Sequence, residues 1–306
     1  MLKQHQPFPK FEWFQVFDVT PSERQTLIDK YGLTDELIFY ATDPNESARM
    51  EYDKARDIML MIFDIVTPDS ERAATEPMGI LFKDHRLFTF TRSTTTFADH
   101  ILEEPNNNQV QVDHDQIEPL DIVLNGLYSL ATDYVGAIVG INRRRKGIQD
   151  RLTQSKSIQK EINSLLDLET SLIYFLNSLR SDKVLLLELK RHEANNLTLL
   201  QSEHIDDILV EVSQGIDMAE MAQEVINSVS SAYSNLVNSD LNWTMKLLTV
   251  YSIVLTVPTI VSGFYGENVE LPFMHADNGW IYTIGITVLG MALAFIILWR
   301  AGFFKK

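Results

Sequence analysis

Apolar positions are spread unevenly along the 306 residues, and the densest blocks come last. Residues 247–266 and 278–299 run 20 and 22 positions without Asp, Glu, Lys or Arg. Either block is long enough to cross a hydrocarbon layer about 30 Å thick as a helix. Only 11 residues, 267–277, separate them, so the pair predicts a membrane hairpin with both chain ends on one side. Lys246 precedes the first block, and Arg300, Lys305 and Lys306 follow the second. The loop between carries Glu267, Glu270 and Asp277 and no basic residue. That asymmetry puts the loop outside and both termini in the cytoplasm. Trp243, Tyr265, Trp280 and Trp299 stand near the four span ends as interfacial anchors.

A third apolar stretch, 120–141, is interrupted by Asp121 and Asp133. A mid-span charge is costly in lipid, so this stretch reads as a buried soluble helix. Gly126, Gly136 and Gly140 point to close helix packing there. Upstream, 11–19, 58–66, 78–83 and 86–92 are rich in aromatic and branched residues and predict strands. The last two form a hairpin around Lys83-Asp84-His85. Pro21-Ser22-Glu23 opens a helix that Tyr31-Gly32 closes. Asn106-Asn107-Asn108 marks a loop. From Ile117 onward the pattern is helical, with Leu120, Val123, Leu124, Leu127, Leu130, Tyr134 and Ile138 at 3–4 spacing, a second helix from about Ser157 to Lys190, and a third from about Ser202 into the first span. The last of these carries one stripe, Ile205, Ile208, Val212, Ile216, Ala219, Ala222, Ile226, Val229, Tyr233 and Leu236, that predicts packing along its length. The fold class is therefore an α/β cytoplasmic domain (1–115), helical stalk (116–242) and two-helix C-terminal transmembrane hairpin (243–306). The spans fall at about 246–266 and 279–299, with an extracytoplasmic loop at 267–278. The polar N-terminus is not a signal peptide, which leaves a multi-pass protein of the cell (plasma or inner) membrane.

Charge sharpens the picture. The chain holds 26 basic and 42 acidic residues, a net of −16. The part before residue 243 has 22 basic against 39 acidic. This excludes a surface built for nucleic acid and suits one that attracts cations. The absence of cysteine removes disulfides, thiol nucleophiles and Cys-ligated metals. The long helix carries Glu203, Asp206, Asp207, Glu211, Asp217, Glu220 and Glu224. They form either a solvated face or, near Asp207, a binding place for hard cations. Arg143-Arg144-Arg145-Lys146 reads as a solvated helix end, the alternative being a basic collar near the membrane or an acidic neighbour.

Within the first span, Asn242, Met245, Thr249, Ser252, Thr256, Thr259 and Gly263 recur every three or four residues and share one helix face. Leu247, Val250, Val254, Val257 and Val261 occupy the other. Small polar faces serve equally as helix–helix seams and as pore linings. The pattern leaves both open.

Tyr265-Gly266-Glu267-Asn268 ends the stripe. Residues 242–268, NWTMKLLTVYSIVLTVPTIVSGFYGEN, resemble the CorA family of divalent-cation channels, whose signature after the first span is of YGMN type. Asn242, Met245-Lys246 and Pro258 fall in the order that family shows. The resemblance implies a funnel-shaped homopentamer embedded in lipid, passing divalent cations passively down the membrane potential. Mg²⁺ uptake is the leading expectation, and Zn²⁺, Co²⁺ or Ni²⁺ transport the alternative, with no cofactor. It makes Gly266, Glu267 and Asn268 the selectivity filter. It makes Asn242, Met245, Leu248, Thr249, Ser252, Thr256, Thr259 and Gly263 the pore lining, with Leu248 and Met245 as a hydrophobic constriction. Asp207, with Asp43 as a substitute partner, would hold regulatory metal between subunits.

This sequence departs from the family pattern in three places. Glu267 replaces the Met of the signature. The loop reads Leu271-Pro272-Phe273, with Glu270 displaced. Tyr40 stands where the stalk carboxylate's partner is an acid. The resemblance also implies that the N-terminal domain lacks leading strands and that residues 33–42 are helical. Enzyme readings find little: Asp113-His114-Asp115 is an isolated trio, His192 and His204 read as surface residues, and no phosphate loop, dinucleotide fingerprint or nucleophile elbow is present. The different-class alternative is a non-conducting membrane-anchored sensor or scaffold.

Overall fold

The computed structural model describes residues 1–5, 8–67, 74–103, 116–152, 158–194, 196–267, 272 and 278–304. The chain divides into two units, Met1–Val229 and Ser230–Lys306. The expected loop at Asn106-Asn107-Asn108 and the Asp113-His114-Asp115 trio lie outside the described residues.

The first unit is built on a six-stranded sheet. Its strands are β1 (Leu2–Gln4), β2 (Glu12–Phe17), β3 (Arg49–Asp53), β4 (Ile58–Thr67), β5 (Ala74–Lys83) and β6 (Arg86–Thr91). They lie in the order β1-β2-β6-β5-β4-β3. All neighbours are antiparallel except β2 and β6. The strands expected at 58–66, 78–83 and 86–92 are β4, β5 and β6. The hairpin between β5 and β6 closes at the pair Lys83 and Arg86, with Asp84 in the left-handed region at φ 53°. Contrary to expectation, the domain has a leading strand. The short β1 pairs with β2 and is held there by the Met1 ammonium bonding to Phe17 O.

Two helices, α1 (Pro21–Tyr31) and α2 (Asp35–Thr42), cover one face of the sheet. Thr20 caps α1 in a reciprocal box with Glu23, each bonding the other's backbone N–H. These bonds hold the Glu23 carboxyl at about 2, below the usual range. Gly32 ends the helix at φ 67°, a conformation glycine takes without penalty. Lys83 Nζ then donates to Tyr31 O and Gly32 O at 2.9 Å each, tying this corner to the β5–β6 turn. Leu27, Ile38, Ile58, Leu60, Ile62, Leu81, Phe88 and Phe90 form one buried cluster between helices and sheet. The residues at 33–42 are helical from Asp35, as expected, because Thr34 accepts Leu37 N–H and caps the turn.

On the other face, α3 (Thr96–Glu103) docks against β6, with Asp99 accepting from Thr89 and Thr91. The helices α4 (Pro119–Leu152) and α5 (Ile158–His192) follow. The most apolar part of α4 is half buried. Val123, Leu124, Leu127, Leu130, Tyr134 and Ile138 are all at 1% exposure or less, as the soluble-helix reading requires. Of its glycines only Gly126 sits in close packing, since a Cβ there would fall inside the Leu102 side chain. Gly136 and Gly140 face open space. Arg143-Arg144-Arg145-Lys146 does not end the helix, which runs on to Leu152. Arg145 donates to Gln149 one turn on, at 2.8 Å.

The last two helices are α6 (Leu199–Tyr265) and α7 (Gly279–Arg300). α6 is one helix of 67 residues, starting slightly before the expected Ser202 and passing through Pro258 without a break. Its stripe is buried at Ile205, Ile208, Val212, Ala219, Ala222 and Ile226. The expectation of packing along the whole stripe fails further on: Tyr233 is half-buried and Leu236 is 58% exposed. In the second unit the apolar parts of α6 and α7 are each only 6% buried. Uncharged helices this exposed need lipid or further protein around them.

Candidate ion pathway along the last two helices

Four turns of α6 decide what its polar stripe can do. Val250 is buried to 7% exposure, and Leu247, Val254, Val257 and Val261 are half-buried. α7 covers this aliphatic line. Its Gly290 approaches so closely that a Cβ would lie 2.8 Å from Val257 Cγ1. The opposite line is open. Asn242, Thr249, Ser252, Thr256 and Thr259 are exposed, as are Met245 (61%) and Leu248 (59%), and nothing lies within 4 Å of a Cβ at Gly263. The seam of the hairpin is therefore the valine line, and the polar stripe is left for something else.

The threonine hydroxyls on that stripe are already committed as donors. Thr249 Oγ1 donates to Met245 O at 2.9 Å, Thr256 to Ser252 O at 2.7 Å and Thr259 to Leu255 O at 3.4 Å. A hydroxyl that back-bonds to the preceding turn keeps two lone pairs facing outward. Pro258 brings no N–H, so the Val254 carbonyl also loses its usual partner within the helix. The exposed face thus offers oxygen acceptors and no charge.

At the inner end, Asn242 lines a cleft of about 550 Å³ with the polar Asn235, Asn238, Ser239 and Thr249, and Lys246, Trp243, Met245 and Phe303 complete its wall, so one basic side chain stands beside the stripe there. The sequence reading stopped at Asn242. Asn235 and Asn238 continue its line inward at the same 3–4 spacing, which was the available signal. At the outer end, Gly266 follows the last helical turn, its N–H on Ser262 O at 2.9 Å, and Glu267 is exposed. Asn268 lies outside the described residues, as do Glu270, Leu271, Phe273 and Asp277.

The regulatory candidates lie in the first unit. Asp207 is exposed on α6. Near it Tyr128 donates to Glu211 at 3.5 Å, and burial, with Glu211 and Asp207, raises the phenol. Two other acids of the same face find bases on α5: Asp206 with Lys190 at 2.5 Å and Glu220 with Arg180 at 2.6 Å. Asp43 ends α2 and accepts Asn45 N–H through Oδ1 at 2.9 Å. Tyr40 gives its hydroxyl to Glu36, and the Arg49 guanidinium lies 4.5 Å above its ring. That fixed positive charge repels a metal ion from the spot. Among the described residues no group of three or more His, Asp or Glu gathers as a metal site within one chain. His192 lies edge-on to Tyr52 and bonds Glu193, and His204 is half-buried.

Comparison with known proteins fits this arrangement. A family profile described as "CorA-like Mg2+ transporter protein" matches residues 9–306. The chain belongs to that family.

CorA-family proteins are transporters, not enzymes, and this one is a membrane protein whose C-terminal helices are apolar. The cobalt/magnesium transport protein CorA of Methanocaldococcus jannaschii is 23% identical over 291 residues, 95% of this chain and 90% of that one. A magnesium transport protein CorA of Helicobacter pylori is 21% identical over 304 residues, again 95% and 90%. The complete structure of the M. jannaschii CorA magnesium transporter superposes with a TM-score of 0.82, covering 96% of this chain and 92% of that one at 23% identity. The fold, an α/β domain, long helices and two apolar C-terminal helices, is thus CorA-like.

Proposed function

We propose that this CorA-family transporter is a homopentameric channel that admits divalent cations, chiefly Mg²⁺, down the inside-negative membrane potential. The carrying observation is the free polar face of α6, left open because α7 takes the valine face. Five copies around an axis would turn that face inward. Mg²⁺ sheds water reluctantly, so its pathway must suit a hydrated ion. The water shell of a cation points its hydrogens outward, and the lone pairs of Thr249, Thr256 and Thr259 accept them. Leu248 and Met245 provide the apolar constriction below, and the Asn242 amide receives the ion at the inner end. Gly266, Glu267 and Asn268 form the outer filter, where an amide ring bonds the shell and five Glu267 carboxylates concentrate cations. The driving force is about 4.6 kcal/mol per 100 mV for a double charge. Loop outside and termini inside follow from the basic flanks.

Glu267 favours one second reading within the class. A carboxylate in the filter ligates directly and suits a Co²⁺, Ni²⁺ or Zn²⁺ transporter of the same fold. Cytoplasmic Mg²⁺ would act at Asp207, with Asp43 offering its second carboxylate oxygen across a subunit boundary. The Arg49–Tyr40 stack beside that place predicts weak sensing.

The test is Mg²⁺ and Zn²⁺ entry into proteoliposomes at a set potential. Asn268→Ala is expected to abolish Mg²⁺ entry with the oligomer intact, and Glu267→Met to change ion preference. Zn²⁺ preference reversed by Glu267→Met supports the transition-metal reading. No flux of either ion from intact oligomers leaves the scaffold.

A further inference from the structure

Strand β4 outruns its neighbour. β3 pairs with it only from Ile58 to Ile62, while β4 continues beside β5 to Thr67. Two residues past the end of β3, Asp64 would leave its backbone groups open on that side. Opposite it on β5 stands Pro77, and the Asp64 N–H and C=O both point away from that strand, towards the open edge. Two helices fill the vacancy. Tyr134 of α4 donates its hydroxyl to Asp64 O at 3.1 Å, and Asp182 of α5 accepts Asp64 N–H through Oδ1 at 3.0 Å. These side chains do what a further strand would have done.

Asp182 is an odd choice for that task. It is 0% exposed, and its Oδ2 is buried without a hydrogen-bond partner. A buried carboxylate with one bond and no counter-ion carries a heavy desolvation cost. Its surroundings make matters worse. From β4 it faces the Asp64 carboxyl, itself 6% exposed. From α4 it faces the Tyr134 phenol. From β5 comes Thr75, hydrogen-bonded to Ser178 of α5 at 2.8 Å, while Glu76 is taken by Arg92 at 2.9 Å. On β3, Arg49 is held by Glu46 and Glu51, Tyr52 by Asp57, and Asp53 by Arg56. Among the described residues no cation is paired with either carboxyl. Burial first, and the Asp64 charge second, push Asp182 well above the carboxylate range, and burial does the same in smaller measure to Asp64.

We propose that Asp182 is a proton-operated clasp: as the neutral acid it fastens the open edge of β4 to α5, and losing its proton loosens the helical pair from the sheet. The folded chain binds this proton more tightly than the unfolded chain. Stability from this site is therefore greatest at low pH and falls as pH rises from the ordinary carboxylate range toward the folded value.

The experiment is thermal unfolding of the full-length protein in detergent from about pH 4.5 to 9.5, with Asp182→Asn beside it. The amide keeps the oxygen that accepts Asp64 N–H and cannot ionise. The native protein is expected to lose roughly 3–5 °C per pH unit between the ordinary carboxylate range and the folded value, and the Asn protein to lose that slope. Equal slopes, or a flat native profile, would overturn the clasp. Should Asp182→Asn fail to fold, hydrogen exchange of the native chain reads the same event. Peptides covering β4 should accelerate with pH beyond the change seen in α1, and parallel behaviour refutes it. A melting temperature that EDTA lowers in the native but not the Asn protein would put a buried cation there and dismiss the proton.

Discussion

Thr256 holds its hydroxyl proton on the Ser252 carbonyl at 2.7 Å, so the residue adds acceptor oxygen to the helix face without adding charge. Valine has the same shape and no lone pairs. Thr256→Val is expected to fold and assemble normally and to lower Mg²⁺ conductance roughly 10-fold, about one lost hydrogen bond per subunit to the hydrated ion. A conductance equal to that of the native protein in single-channel recording would remove Thr256 from the pathway. The stripe itself was legible in the sequence, because residues three and four apart share a helix face. Its use was not. Seam and pore demand the same small polar residues, and the position of α7 over Val257 is what favours the second in the proposal. Asp182 was invisible for a related reason. It sits in a helix full of charged residues, and nothing local tells which of them turns inward.

At the level of elements, the strong patterns predicted well and the weak ones failed. β4, with ten residues almost all buried, announces itself. β3 (RMEYD) is an edge strand with every residue half-exposed, and α3 has only two buried residues. β3 carries too little apolar periodicity to be seen, and α3, amphipathic over only eight residues, is too short to stand out. Residues 37–41 suit strand or helix, and the Thr34 cap tips the balance. The α6–α7 contact is where an element-scale prediction belongs. Gly290→Leu puts a side chain where Val257 Cγ1 already lies. The hairpin should be destabilised by about 1–3 kcal/mol, read as lower yield and melting temperature of the detergent-solubilised protein. Gly285→Leu, with open space around it, should cost far less. Equal losses would mean the two helices meet differently.

For the whole molecule, the absence of cysteine makes the proposed ring directly measurable. A single Thr256→Cys supplies the chain's one thiol. If copies surround an axis with this face inward, mild oxidation should link subunits in pairs on a denaturing gel. Val250→Cys, covered by α7 in its own chain, should stay monomeric. The reverse result would place the valine face at the axis and remove the basis for the pathway. The order of the fold, α/β part first and apolar helices last, was readable because long uncharged stretches need no tertiary information to be seen. The packing of α6 was over-read by contrast. Its apolar stripe continues past Val229, but the burial does not, since a repeat of three and four records a surface to be covered and not what covers it.

The committed hydroxyls of α6 have a consequence for what this path turns away. Chloride draws the hydrogens of its water inward and shows mainly oxygen to the wall. Along the proposed pathway, threonine levels whose protons are spent on Met245, Ser252 and Leu255 carbonyls have no hydroxyl proton to give that shell, which leaves donation to Ser252 and the Asn242 amide. The threonine levels thus disfavour anions by hydrogen-bond polarity, before any net charge along the path is considered.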